Sequence, residues 1–116
     1  MTYFYLACGC EQDMESLGYH ITYFDLDTSD YLNTTPETII NAQNIFSARI
    51  KGSNPATDEF LVIAHDIHQT TAEVLVEHML KEMRSKGYRG VTVGECLGDP
   101  KENWYRVDRS VVMGED

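Results

Sequence analysis

Two stretches of this chain carry an apolar run straight into residues that handle protons. Phe60-Leu61-Val62-Ile63-Ala64 runs into His65-Asp66-Ile67-His68, and Phe24-Asp25-Leu26 runs into Asp27-Thr28-Ser29-Asp30-Tyr31. A histidine beside a carboxylate is oriented by it and favoured as the imidazolium, because a nearby negative charge stabilises the charged form. Such a histidine serves as a general acid near neutral pH. His65 is the candidate acid and Asp30 its candidate orienter. The plainer alternative is a loop in which His65, Asp66 and His68 satisfy backbone groups and Asp30 makes a turn. Asp27 fits the loop-holding role better than the chemical one.

Residues so far apart meet only if the elements beneath them bring them together. Thr2 to Ala7 reads as a short strand, and Glu11 to Leu17 as a helix stopped by Gly18. Tyr19 to Leu26, rich in β-branched and aromatic residues, reads as a strand. Thr35-Pro36 starts a helix with the core face Ile39, Ala42, Phe46 and Ile50, and Gly52-Ser53-Asn54-Pro55 ends it. Phe60 to Ala64 is continuously apolar, as expected of a strand covered on both faces. Thr70-Thr71-Ala72-Glu73 has the pattern of a capping box, and Ala72, Leu75, Val76, Met79, Leu80 and Met83 form a core stripe before Gly87. Gly90 to Gly94 gives a last short strand.

Strands alternating with helices predict parallel pairing through crossovers. About four parallel strands would then point their carboxyl ends to one side and gather Tyr5, Asp27, Asp30, Tyr31, His65, Asp66 and His68 there. The fold class is α/β. Residues 1–106 make the single domain and 107–116 a polar tail.

Composition excludes several functions. Nine Lys and Arg against nineteen Asp and Glu give a net charge of −10, the wrong balance for nucleic acid, which needs clustered cations to neutralise phosphate. No apolar run reaches the roughly 20 residues of a membrane span, so no membrane partner is expected. The first residues resemble no export signal, and the chain as written is expected to be cytoplasmic. The three cysteines, Cys8, Cys10 and Cys96, cannot all pair within one chain, and Cys8-Gly9-Cys10 lacks the second pair of a zinc site. No serine lies in a Gly-x-Ser-x-Gly elbow. His65 and His68 form a weak metal pattern without a third ligand at a defined spacing. His20 and His78 look unremarkable, His78 on the polar side of its helix. Packing is the commoner role for an aromatic such as Trp104.

Four segments together resemble a known family: Leu17-Gly18-Tyr19-His20-Ile21, Asp25 through Tyr31, Leu61 through Thr71, and Val91 through Arg106. They look like the carboxyl-terminal half of fungal chitin deacetylases, members of the polysaccharide deacetylase (NodB-homology) family. The resemblance implies part of a distorted (β/α) barrel whose first strands are absent. It also implies hydrolysis of N-acetyl groups of N-acetylglucosamine polymers by water on zinc or another divalent metal, with an Asp as base and a His protonating the departing amine.

The family's Asp-x-x-Asp-Trp motif falls on Asp27, Asp30 and Tyr31, with Tyr in place of Trp. Its Leu-x-His motif falls on Ile63 and His65, making His65 the acid and Ile63 part of the acetate pocket. Of Arg-x-Pro-Tyr only Tyr5 survives, implying an oxyanion contact from its backbone N–H. Neither the Thr-Phe-Asp-Asp strand nor the His-x-x-x-His pair of the family's metal site occurs in the sequence. No metal ligands and hence no cofactor are expected in this chain, and catalytic inactivity in isolation is expected with them. The resemblance implies secretion or a cell-wall location for full-length relatives, and in secreted relatives a cysteine placed like Cys96 can bridge to one near the start of the full domain.

Two other functions fit the residues. A noncatalytic remnant would bind chitin or chitosan through Tyr5, Tyr31 and Trp104, and a small zinc-binding protein would use His65 and His68. An incomplete barrel has open sheet edges, which implies self-association.

Overall fold

The computed structural model of the chain describes residues 10–105. Helix α1 (Cys10–Ser16), strand β1 (Leu26–Asp27), helix α2 (Ile39–Lys51), strand β2 (Val62–Ile63), helix α3 (Val76–Lys86) and helix α4 (Val93–Cys96) follow in order. Single 3-10 turns lie at Asp30–Leu32 and Lys101–Asn103, and a π-helical turn at Thr71–Leu75 leads into α3. The predicted strand from Thr2 to Ala7, Tyr5 within it, and the tail 107–116 lie outside the described residues.

Strands β1 and β2 pair in parallel, Leu26 opposite Val62 and Asp27 opposite Ile63. Parallel neighbours need a crossover, and α2 supplies it. At the amino-terminal edge the Asp25 carboxylate accepts the Leu61 N–H at 2.7 Å, fixing the register before the ladder begins. Both carboxyl ends therefore face the same way, which sets the rim where the candidate acid stands.

The predicted core face of α2 is the observed one: Ile39, Ala42, Phe46 and Ile50 are all buried. Thr35 Oγ1 accepts the Thr38 N–H at 3.2 Å, so the Thr35-Pro36 signal caps the turn from which the helix proper starts at Ile39. Leu26, Phe46 and Ile50 make one apolar cluster with Phe60, Met79, Met83 and Tyr88 around it. Ile39, Ala42 and Leu75 make a second, packed by Ala64 and again Met79. Met79 thus joins the two clusters through α3. Helix α3 ends on Gly87 at φ 101°, a left-handed position that spares glycine a Cβ clash, and the Tyr88 N–H closes back to Met83 O at 2.8 Å.

Four expectations are corrected. Tyr19 to Phe24 forms no strand: the Tyr19 N–H donates to Met14 O at 2.9 Å, closing the turn after α1, and the run to Phe24 carries no regular structure. The strand at Gly90 to Gly94 gives way to α4, where Thr92 Oγ1 accepts the Glu95 N–H at 3.3 Å; a capping pattern at Thr92 and Glu95 outweighs the β-branched run. Among the described residues the sheet thus has two of the about four strands expected, the one at Thr2 to Ala7 lying outside them. The strand at Phe60 to Ala64 is not covered on both faces, since Val62 is 41% exposed. The α3 stripe is likewise only half used: Leu75 is buried and Met79 and Met83 pack inward, whereas Ala72 and Leu80 face out.

Phe46→Ala should lower stability by about 3–5 kcal/mol, the usual cost of emptying a buried aromatic site. Leu80→Ala, on the exposed side of α3, should change it by about 0.5 kcal/mol or less. Urea midpoints of the two variants, followed by circular dichroism, check both.

Candidate functional site

The loop after β1 is shaped to deliver one carboxylate. Thr28, fully buried, donates its hydroxyl to Ile63 O at 3.2 Å and ties the two strand ends together. Ser29 then sits at φ 57° and ψ 32°, a left-handed conformation that non-glycine residues rarely adopt. Its N–H donates to Asp27 Oδ1 at 2.9 Å, so Asp27 holds the loop, as its place in the sequence suggested. Its carbonyl accepts from Asn33 Nδ2 at 2.8 Å, and Asn33 Oδ1 accepts from Asn41 Nδ2 of α2 at 3.0 Å. The reversal turns Asp30 inward.

Asp30 is completely buried, and three donors converge on it. Its Oδ1 meets His65 Nδ1 at 2.8 Å. Its Oδ2 accepts the main-chain N–H of His65 and, at 2.8 Å, the hydroxyl of Thr71. Burial alone pushes the Asp30 carboxyl up. The hydrogen bonds from the His65 ring, the His65 main chain and Thr71, with the His65 charge, outweigh burial and hold it below the usual carboxylate range. A carboxylate at this position accepts, so His65 Nδ1 carries a hydrogen and Nε2 is the nitrogen left to exchange a proton. The His65 side chain is 39% exposed, open enough to meet a second molecule.

The structure brings His65, Asp30, Tyr31 and His68 together. Tyr31 meets the His65 ring edge to face at a centroid distance of 5.7 Å, and His68 meets it at 6.4 Å. Ile63, half-buried, ends β2 two residues before His65. Asp66 is exposed on the turn beyond and does not join the pair. Among the described residues no three His, Cys, Asp or Glu side chains gather to hold a metal ion, and His65 Nδ1 is already engaged by Asp30. The zinc reading of His65 and His68 therefore gains no third ligand from the described residues.

One other assignment changes. His78 is not on a bare polar face: its Nε2 lies 2.7 Å from Ser47 Oγ, joining α2 to α3, with Glu82 also accepting from Ser47 at 3.2 Å. Trp104 packs, the commoner role for such an aromatic: its Nε1–H donates to Asp99 O at 2.8 Å and its ring fills the space where a Cβ on Gly94 would fall. The residue that sequence reasoning missed is Thr71. Thr70-Thr71-Ala72-Glu73 suggested a capping box, yet Thr70 makes no cap bond and Thr71 turns its hydroxyl to Asp30.

A buried carboxylate thus holds a half-exposed histidine at the carboxyl ends of two parallel strands joined by a helical crossover. Comparison with known proteins makes the match particular. The chain is 43% identical over 104 residues to a chitin deacetylase of Colletotrichum lindemuthianum, across 88% of this chain and 42% of that protein. It is 38% identical to a chitin deacetylase of Arthroderma benhamiae, across 90% of this chain and 27% of that protein. The solved structure of the Colletotrichum lindemuthianum chitin deacetylase superposes with a TM-score of 0.78 at 43% identity, covering 84% of this chain and 43% of that one. No protein-family model matches the chain. The chain is thus homologous to chitin deacetylases over most of its length and has the fold of part of their (β/α) barrel, while spanning less than half the length of these relatives.

The Asp30 carboxyl is depressed in the folded state, so its stabilisation is fully present above the unfolded pKa of about 4 and is lost as pH falls through the lower folded value. Asp30→Asn should therefore destabilise the chain by about 1–3 kcal/mol at pH 7. The gap between variant and parent should narrow steadily as pH is lowered below about 4. Urea titrations of both proteins between pH 7 and pH 3 provide the measurement.

Proposed function

We propose that this chain is the acid-bearing part of a polysaccharide deacetylase acting on N-acetylglucosamine polymers. The observation that carries the reading is the Asp30-held His65 at the strand rim, in a chain 43% identical to a chitin deacetylase. In this role the amide substrate lies against the His65 edge, with Tyr31 beside it as one wall. His65, with Nδ1 held by Asp30, gives the proton on Nε2 to the nitrogen of the breaking C–N bond, so that the sugar leaves as a neutral amine. Asp30 keeps the ring oriented and offsets the imidazolium charge before transfer. Ile63, ending the strand beneath, contributes apolar surface for the acetyl methyl group.

A positioned general acid contributes roughly 10²- to 10⁴-fold, against the about 10⁶-fold or more that enzymes supply. His65 and Asp30 are therefore one share of a larger site, and the nucleophile and its base belong to residues outside the described set. On this reading the chain alone releases no acetate.

The test is a chimera in which this chain replaces the matching segment of the Colletotrichum lindemuthianum enzyme. Acetate release from N-acetylglucosamine oligomers should persist in the chimera, and His65→Asn should reduce kcat by about 10²-fold or more. A folded chimera whose rate is indifferent to His65→Asn would remove the proposal. The isolated chain, assayed with and without added zinc, should stay at background.

A further inference from the structure

Thr71 draws attention because its hydroxyl is spent on a single long-range bond. It is 1% exposed, it donates to Asp30 Oδ2 at 2.8 Å across forty-one positions of sequence, and it opens the π-helical turn Thr71–Leu75. In that turn the Val76 N–H reaches back five residues to Thr71 O, and the N–H groups of Thr71 and Ala72 both converge on His68 O, at 3.0 and 3.1 Å. A π-turn inserts one residue into the helical ladder and is found mostly at functional sites. Here it accompanies a hydroxyl aimed at the carboxylate instead of at a neighbouring helical carbonyl.

Asp30 Oδ2 has two donors with different reach. The His65 N–H fixes the carboxylate to the end of β2, whereas Thr71 fixes it to the start of the helix, so the carboxylate cannot rotate about its Cβ–Cγ bond without losing one of them. That leaves Oδ1 held in place against His65 Nδ1. We propose that Thr71 is a positioning residue for His65: through Asp30 it locks the imidazole in the form that carries hydrogen on Nδ1 and leaves Nε2 as the proton-exchanging nitrogen. The inference rests on the assignment of His65 as the acid, but the lock itself is a property of this chain and is measured without any substrate.

The test is 15N NMR of the histidine ring nitrogens in the full chain at a pH where His65 is neutral. The parent and Thr71→Ser, which keeps the hydroxyl, should show His65 as a single form with Nδ1 protonated. Thr71→Val, equal in shape but without the donor, should show ring shifts displaced toward a mixture of the two neutral forms. A folded Thr71→Val protein that retains the single form overturns the proposal, as does a mixture already present in the parent. If Thr71→Val does not fold, the parent still decides: the Thr71 hydroxyl proton should exchange slowly enough with water to be observed, and a hydroxyl in fast exchange at low temperature overturns the bond on which the lock depends. Loss of acetate release in the chimera with an intact lock would instead remove the enzymatic reading alone.

Discussion

A single buried carboxylate organises the working end of this chain. Removing Asp30 from water costs several kcal/mol unless its oxygens are satisfied, and an unpaired charge there would be neutralised or would unfold its surroundings. Three donors from two separate elements meet that demand: the ring and the main chain of His65 at the end of β2, and Thr71 at the start of the π-turn. The loop that carries Asp30 accepts a left-handed serine to bring it there, a local strain of about 1 kcal/mol or more that only a well-determined surrounding sustains. Strand pairing, the Thr28 clasp on Ile63 and the α2 packing all serve to keep that loop where the donors are.

The same frame explains what is missing from the architecture. Two paired strands covered by α2 and α3 bury one face of the sheet, and the residues that would serve its other face or its outer edges are left exposed, Val62 and Leu80 among them. Segments that read as strands from their residue types take other forms: Tyr19 to Phe24 runs without secondary structure, and Thr92 to Cys96 closes into a capped helical turn. An element's identity here is decided by whether its partner is at hand, a tertiary condition that overrides local preference.

That condition also marks the boundary of what the sequence could reveal. The helices were legible, because periodic burial and capping are local: Ile39, Ala42, Phe46 and Ile50 read directly as a core face, and Gly87 as a helix end. The meeting of Asp30 with His65 was legible too, since parallel crossovers force strand ends to one side whatever the strand length. Strand extents were not, because β-branched residues at Val91 and Val93 satisfy a strand pattern without supplying a second strand. Nor was Thr71, since a hydroxyl that could cap its own helix gives no sign in the sequence that it reaches forty-one residues back instead.

The contacts that orient the His65 ring therefore lie within residues 27–71. Orientation of His65 depends on Thr28, Ser29, Asp30 and Thr71, none of which needs a metal or a third strand to hold its place. A short β-α-β unit is sufficient for this arrangement, because a carboxylate, an imidazole and a hydroxyl are locked together by hydrogen bonds alone.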